Sequence, residues 1–584
     1  NQFVFSKDDN LWLGTTNGKK IVQLTNNGSK DYSWGMSDTA WSPDGKRLFI
    51  KRSDVRQVHH LPVLNYSKAN EAVEWNIYAR TGDAIEKTEL YILDPATKRQ
   101  IKIQSPTLEN HYAFPLGWRS DSTEVMFMRM TRDGKRLELF GANPSTGKCR
   151  LILTEEQKTF VGGLDFIMEK WAKQVTMLKD GKHFIWMSER DGWQHLYLYD
   201  MQGKLIRRLT EGTFPVIEVV KVDEPSNLVY FRANAEKNLY DTNLYSVNLD
   251  LSNQVNQDTG SKAINLKKLT VASGYHRIQF SPSGKYFLDT HSSVDRAPVV
   301  ELRNTEGQLL QVVRKADISE LQQIGWQAPE KFVVKAADGE TDLVGILYKP
   351  LDFDPSKKYP VVEFIYAGPF TTVVPKGFTP NTSLAIKAQA LAQTGYITYL
   401  IDGRGTTERS KAFQDVVVNH IGQYEILDRV AALQQLASTR PYMDKERIGI
   451  YGHSWGGYFA VRAMLMAPDT FKVGIASAPG ELTEGAEINE PYMGLLSANK
   501  NGYDFGTNLN HATKLKGKLL FIHGTSDINA PFSTTVRMID ALIQAGKPYD
   551  LLLLPQRTHF FQEEDYVDAA IRRYFDENLK SKKM

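Results

Sequence analysis

The sequence predicts two domains of different class: an all-β β-propeller over residues 1–325 and a doubly wound, mostly parallel α/β domain over residues 326–584. Three observations lead there. The first half carries short alternating segments separated by recurring turn tags. The second half alternates near-continuous apolar strands with amphipathic helices. The chain, at 584 residues, is several times the size of an ordinary domain.

In the first half, His195-Leu196-Tyr197-Leu198-Tyr199 shows the period of two that puts Leu196 and Leu198 on one face of a strand. One tag, Trp41-Ser42-Pro43-Asp44-Gly45-Lys46, returns loosely around Asp121, Asp180 and Ser283. A second, of the form Asp-x-x-x-Gly-Lys, is seen at Asn143–Lys148 and Asp200–Lys204. Both supply the positive-φ positions that tight hairpin turns need. The tag spacing suits one or two four-stranded blades of about 40–50 residues, and six or seven blades are expected. A pair of β-sandwiches is the competing arrangement.

In the second half, strands are expected near 361–366, 396–401, 447–451, 473–477, 518–522 and 550–554, too apolar for a one-sided sheet. Amphipathic helices fit 426–436 and 565–579, the latter with Val567, Ala570, Ile571, Tyr574 and Phe575 on one face.

Composition narrows the function. Hydrophobic residues at 41% and charged residues at 24% exclude disordered and fibrous classes. A net charge of +3 gives no nucleic-acid footprint. Cys149 is the single cysteine, so no intrachain disulfide or cysteine-based zinc site is expected. No apolar run approaches the ~20 residues of a membrane span, so a soluble chain is expected. It opens on Asn1 without a signal-like segment, which reads as processing or truncation upstream.

Chemistry concentrates at Gly452-His453-Ser454-Trp455-Gly456-Gly457, between a strand ending at Tyr451 and a helix beginning near Tyr458. That is the strand–elbow–helix context of a Gly-x-Ser-x-Gly nucleophile, which lifts Ser454 Oγ clear of the sheet. A serine hydroxyl needs a base, and in this motif's fold the partners follow in the order acid, then histidine. Asp527, after the strand ending at Ile522, and His559, after the strand ending at Leu554, fit that order. All three lie beyond C-terminal strand ends, where open α/β sheets keep their sites. His453 and His523 read as turn or packing histidines.

Gly452–Tyr458, His523–Asn529, Tyr366-Ala367-Gly368-Pro369 and Asp402-Gly403-Arg404-Gly405 together resemble the prolyl oligopeptidase family of serine peptidases, in particular its dipeptidyl-peptidase IV branch. The resemblance implies a β-propeller capping an α/β-hydrolase domain, with the site in a cavity between them that admits short peptides. It assigns Ser454, Asp527 and His559 to the triad, and Tyr366 with the Trp455 N–H to the oxyanion. It makes Asn529 and Tyr492 substrate-binding residues, and it implies no metal or organic cofactor. Family habit adds a homodimer and a periplasmic or secreted location.

Two departures qualify the likeness. The branch binds a free amine through adjacent glutamates just before a Trp-Ser-Pro-Asp-Gly tag, but residues 30–37 hold none; Asp31 is a weak substitute. Glu155-Glu156 and Glu563-Glu564 read as solvated charge. The family's aromatic proline pocket is replaced at 480–490 by a segment with no aromatic and four carboxylates, Glu481, Glu484, Glu487 and Glu490. That segment reads either as a preference for a polar or basic residue or as a solvated loop. The expected activity is release of di- or tripeptides from N-termini. An acylaminoacyl peptidase or oligopeptidase, a carboxylesterase and a non-enzymatic binding protein are the alternatives.

Overall fold

The computed structural model describes residues 2–580 except 19, 67–68, 71, 107–108, 163–170, 237, 251–265, 370, 380–381 and 484. Six antiparallel sheets follow one another in the first half. The first has three strands, between Gln2 and Gln23, and the other five have four strands each. The second sheet carries an inserted hairpin, His60–Asn65 with Ala72–Ile77.

The tags fall where a hairpin reading puts them. Trp41–Lys46 and its three relatives join the first and second strands of their sheets, with Gly45, Ser122, Gly181 and Gly284 at positive φ. The second tag joins third and fourth strands, with Gly147 and Gly203 at positive φ. Ser42 Oγ accepts the N–H groups of Lys46 and Arg47, which fixes the turn locally.

Each sheet buries one face against the next. Leu11 and Leu24 pack with Leu48 and Ile50, and Phe49 and Leu90 with Phe127 and Phe140. Met128 packs with Phe184 and Trp186, Ile185 with Val229 and Phe231, and Tyr230 with Phe287. Of the charges read as solvated, Glu155 is corrected. It is buried at the third sheet's edge and accepts the Ser188 hydroxyl at 2.7 Å and the Trp186 indole N–H. A buried carboxylate needs such donors. Glu156 and Glu564 do sit in solvent-facing ion pairs, with Arg136 and Arg557.

The second half is built on one eight-stranded sheet. Its spatial order is Glu330–Lys335, Asp342–Tyr348, Ile397–Asp402, Tyr359–Phe364, Met443–His453, Val473–Ser477, Lys518–Gly524 and Asp550–Leu554. Only Asp342–Tyr348 runs against the others, antiparallel to both its neighbours, and the last six strands in that order are mutually parallel. Alternation along each strand divides the core between two faces. Val361, Ile448 and Ile450 pack with Phe459 and Ala460 of the helix Trp455–Met466, while Val362, Tyr451 and Ile475 pack with Ile571 and Phe575 of Asp565–Leu579. Helices on both faces explain why these strands are apolar throughout. Among the described residues no helix is long and apolar enough to cross a membrane.

Candidate active site

Strand Met443–His453 delivers Ser454 into a sharp turn at φ 60°, ψ −121°, and the helix Trp455–Met466 begins at once. The turn tolerates no side chains around it. A Cβ on Gly452 would stand 2.0 Å from Gly456 O, and one on Gly456 2.2 Å from Ile365 O. Such strain at a non-glycine residue is characteristic of functional turns.

The imidazole of His559 reaches Ser454 Oγ with Nε2 at 2.9 Å and Asp527 Oδ2 with Nδ1 at 2.7 Å. Asp527 selects the tautomer in which Nδ1 donates, so that Nε2 accepts the serine proton. Asp527 is in turn fixed by the N–H groups of Asn529 and Ala530, at 2.8 and 2.9 Å on Oδ1. Burial opposes its ionisation, but hydrogen bonds from His523 and His559 hold the carboxyl well below the usual range.

Of the other two histidines, both read from the sequence as turn or packing residues, His523 also supports the Asp527 carboxylate, Nε2 lying 3.4 Å from Oδ2. His523 is fully buried between Thr535 Oγ1 and Ala530 O. His453 faces Ser477 Oγ at 2.9 Å, and burial, helped by the neighbouring His559, pushes its pKa down to about 3.

Tyr366 ends the segment that follows strand Tyr359–Phe364, and its hydroxyl hydrogen-bonds the Ser454 side chain. Burial raises its phenol above the ordinary value, so it remains a donor. The succeeding Gly368 packs on the Trp455 indole, where a Cβ would lie 2.1 Å from Nε1. The Trp455 N–H is the first of its helix, and the first N–H groups of a helix have no acceptor within it. Tyrosine hydroxyl and helix N-terminus thus converge on the serine.

These groups open on a cavity of about 610 Å³ lined by Tyr366, Ser454, Trp455, Asn529 and His559. Tyr492 is fully buried, packs edge-on against Phe160 and is not among the residues that line this cavity. Glu490, at the start of the same short helix, pairs with Arg132 from the first half of the chain. Asp31 is also absent from the lining and lies 3.5 Å from His60.

Sequence reasoning missed Tyr78, which lines the cavity from the first half and donates to Asn529 O at 3.4 Å. The segment 79–83 continues this wall. Thr81 N–H donates to Gly485 O at 3.0 Å, Gly82 N–H to Glu490 Oε1 at 2.9 Å, and Arg80 bridges Ala486. No periodicity or motif marks these residues; only their contacts do. The solvated-loop reading of 480–490 therefore fails. Glu481 and Glu490 are buried, and burial pushes Glu487 up to about 7. Glu484 lies outside the described residues.

Residues 1–298 match the family described as the dipeptidyl peptidase IV N-terminal region, and residues 382–582 match the prolyl oligopeptidase family. The chain belongs to the prolyl oligopeptidase family, in its dipeptidyl peptidase IV branch. Branch members similar to it include dipeptidyl peptidase 8 of Homo sapiens, 37% identical over 44% of this chain and 29% of the relative. Dipeptidyl-aminopeptidase B of Aspergillus niger is 26% identical over 95% of this chain and 64% of its own length. The chain thus spans less than two thirds of these curated relatives.

Solved structures of the same branch superpose on nearly the whole chain. Dipeptidyl peptidase 4 of Porphyromonas gingivalis gives a TM-score of 0.87 at 25% identity, over 99% of this chain and 81% of that one. A putative dipeptidyl aminopeptidase IV of Bacteroides ovatus gives 0.86 at 27% identity, over 99% and 82%. For a dipeptidyl peptidase IV-branch chain, the order Ser454, Asp527, His559 and the hydrogen bonds joining them form one consistent arrangement.

Proposed function

We propose that this chain is a serine dipeptidyl peptidase, releasing dipeptides from the N-termini of short peptides through an acyl-enzyme. The observation that carries the reading is the single imidazole at 559 held between a carboxylate at 2.7 Å and a serine hydroxyl at 2.9 Å. His559 takes the proton of Ser454 as the hydroxyl attacks the scissile carbonyl, and then protonates the leaving amine. Asp527 keeps the imidazole oriented and stabilises its charged form. Tyr366 and the Trp455 N–H receive the oxyanion. Water, activated by the same histidine, then releases the acyl group. Asn529, on the cavity wall, is suited to hold a substrate carbonyl. The dipeptidyl assignment is supported by its relatives, which are dipeptidyl peptidases and a dipeptidyl-aminopeptidase by name.

In this reading residues 1–325 form a closed propeller that caps an α/β-hydrolase domain at 326–584. The successive face-to-face packing of six sheets supports it, as does the likeness to solved structures of the branch. A fluorophosphonate should label the protein covalently and fail to label Ser454→Ala; no labelling of the folded wild type would refute the mechanism. Chromogenic dipeptides with free and acetylated N-termini test the specificity. A clear preference for the acetylated forms would favour an acylaminoacyl peptidase instead.

A further inference from the structure

Tyr366 opens a turn that its own residues do not hold in place. Strand Tyr359–Phe364 ends just before it, and the two residues after it are both left-handed, Ala367 at φ 53° and Gly368 at φ 87°. Glycine adopts that region freely, but a buried alanine there is strained and persists only where its surroundings fix it. The turn is fixed at three points. Gly368 lies against the Trp455 indole, and Asp402 accepts Val373 N–H farther along. Between them, Pro369 O accepts the amide of Gln414 at 2.8 Å, in an interior position.

Gln414 belongs to the short helix Lys411–Asp415, which Ser410 Oγ caps by accepting Phe413 N–H at 3.2 Å. Phe413 O accepts Gly405 N–H at 2.8 Å, which fastens the helix to the loop after strand Ile397–Asp402. Both ends of the helix meet the first half of the chain. Lys411 N–H donates to Gly192 O at 2.8 Å, and the Thr159 hydroxyl donates to Asp415 Oδ2 at 2.7 Å. The Lys411 ammonium, buried, sits 2.8 Å from Asp415 Oδ1, 3.8 Å from Glu189 Oε2 and 4.2 Å from the centre of the Phe160 ring. A buried cation depends on such partners, so this end of the helix is set by where the first half sits.

A hydroxyl that receives an oxyanion is effective only when it is already in place as the charge develops. We propose that Gln414 is the positioning residue of Tyr366, and that the helix Lys411–Asp415 makes the seating of the first half a condition for a formed oxyanion site. The first half then acts on kcat, and not only on which peptides enter. The inference rests on the oxyanion role given to Tyr366 in the peptidase reading.

The experiment uses the full chain. Gln414→Met keeps the side-chain length and removes the donor, and Thr159→Val keeps the shape and removes the hydroxyl. Each is made in the wild type and in Tyr366→Phe, and steady-state kinetics is measured on the chromogenic dipeptide that the wild type cleaves fastest. Gln414→Met should lower kcat by about 10–100-fold with KM within about twofold. Thr159→Val should lower kcat by about threefold, and in Tyr366→Phe each change should cost less than about twofold. A merely structural loss would give equal factors in both backgrounds, and that result would overturn the proposal. Wild-type kcat in Thr159→Val would overturn the link to the first half. Should Gln414→Met not fold, Thr159→Val carries the same comparison. Wild-type kcat in Tyr366→Phe would sink the oxyanion role of the hydroxyl and this inference with it. A defect in Tyr366→Phe beside wild-type kcat in Gln414→Met would sink the inference alone.

Discussion

The guanidinium of Arg132, from the antiparallel-sheet half, holds both carboxylate oxygens of Glu490, from the α/β half, with only 7% and 1% of the two side chains exposed. The same guanidinium also donates to Asp83 O and Arg80 O, and the same carboxylate accepts Gly82 N–H. One ion pair thus ties segment 80–83 to the wall of the catalytic cavity.

Breaking that pair from one side leaves the other charge buried without a partner, at a cost of about 3–5 kcal/mol. Arg132→Met and Glu490→Gln should each lower the unfolding free energy by an amount in that range, read as a lower denaturant midpoint at unchanged slope. They should also raise KM, because the wall at Gly485 and Ala486 loses its anchor. The double variant Arg132→Met/Glu490→Leu should be less destabilised than the sum of the single changes. Strict additivity in equilibrium unfolding would show that the two residues do not act together.

Tyr366→Phe removes a hydroxyl that touches the serine and leaves the ring in place. If that hydroxyl serves the oxyanion, kcat should fall by about 10²–10³-fold, or roughly 3–4 kcal/mol of barrier, with little change in KM. Steady-state kinetics on one chromogenic dipeptide separates the two parameters. An unchanged kcat would assign oxyanion binding to backbone donors alone.

The third prediction concerns pH. Asp402 is buried and accepts Val373 N–H at 2.7 Å, holding a residue of the cavity lining in place. Burial, only partly offset by those N–H donors, raises its pKa to about 6. Because the folded value lies above the unfolded one, the group favours the fold below the ordinary carboxylate range, and that contribution is lost as pH rises through about 6. Asp402→Asn keeps the acceptor oxygen and removes the titration. Its loss of stability between pH 4.5 and pH 7.5 should be smaller than the wild type's, by about 2 kcal/mol. Parallel melting curves at the two pH values would decide it, and identical differences would place the charge of Asp402 outside the balance.

What could be read without coordinates was what neighbouring residues enforce on one another. Gly452, Gly456 and Gly457 announce an elbow because each replaces a Cβ that would strike backbone, and the steric reason is written in six consecutive letters. The turn tags are legible for a similar reason: Ser42, Asp44 and Gly45 close the hairpin with their own hydrogen bonds and positive φ. Asp527 and His559 could be chosen because a parallel sheet forces its site to the carboxyl ends of its strands. The packing of Tyr492 was not legible, because a short motif says nothing about which side of a helix meets the core, and here the ring turns toward Phe160.

Sequence therefore sufficed to expect antiparallel sheets ahead of a largely parallel one and to choose three side chains that the fold brings into hydrogen-bond contact, since periodicity and strand order are properties of the chain as written. Folding in space settled the rest. That Glu155 is buried, that Tyr78 joins the cavity and that Arg132 meets a carboxylate 358 positions away all depend on packing between distant segments. A charge takes its meaning from its surroundings: Glu156 stays in solvent beside Arg136, while Glu155 next to it is enclosed and held by the Ser188 hydroxyl and the Trp186 indole.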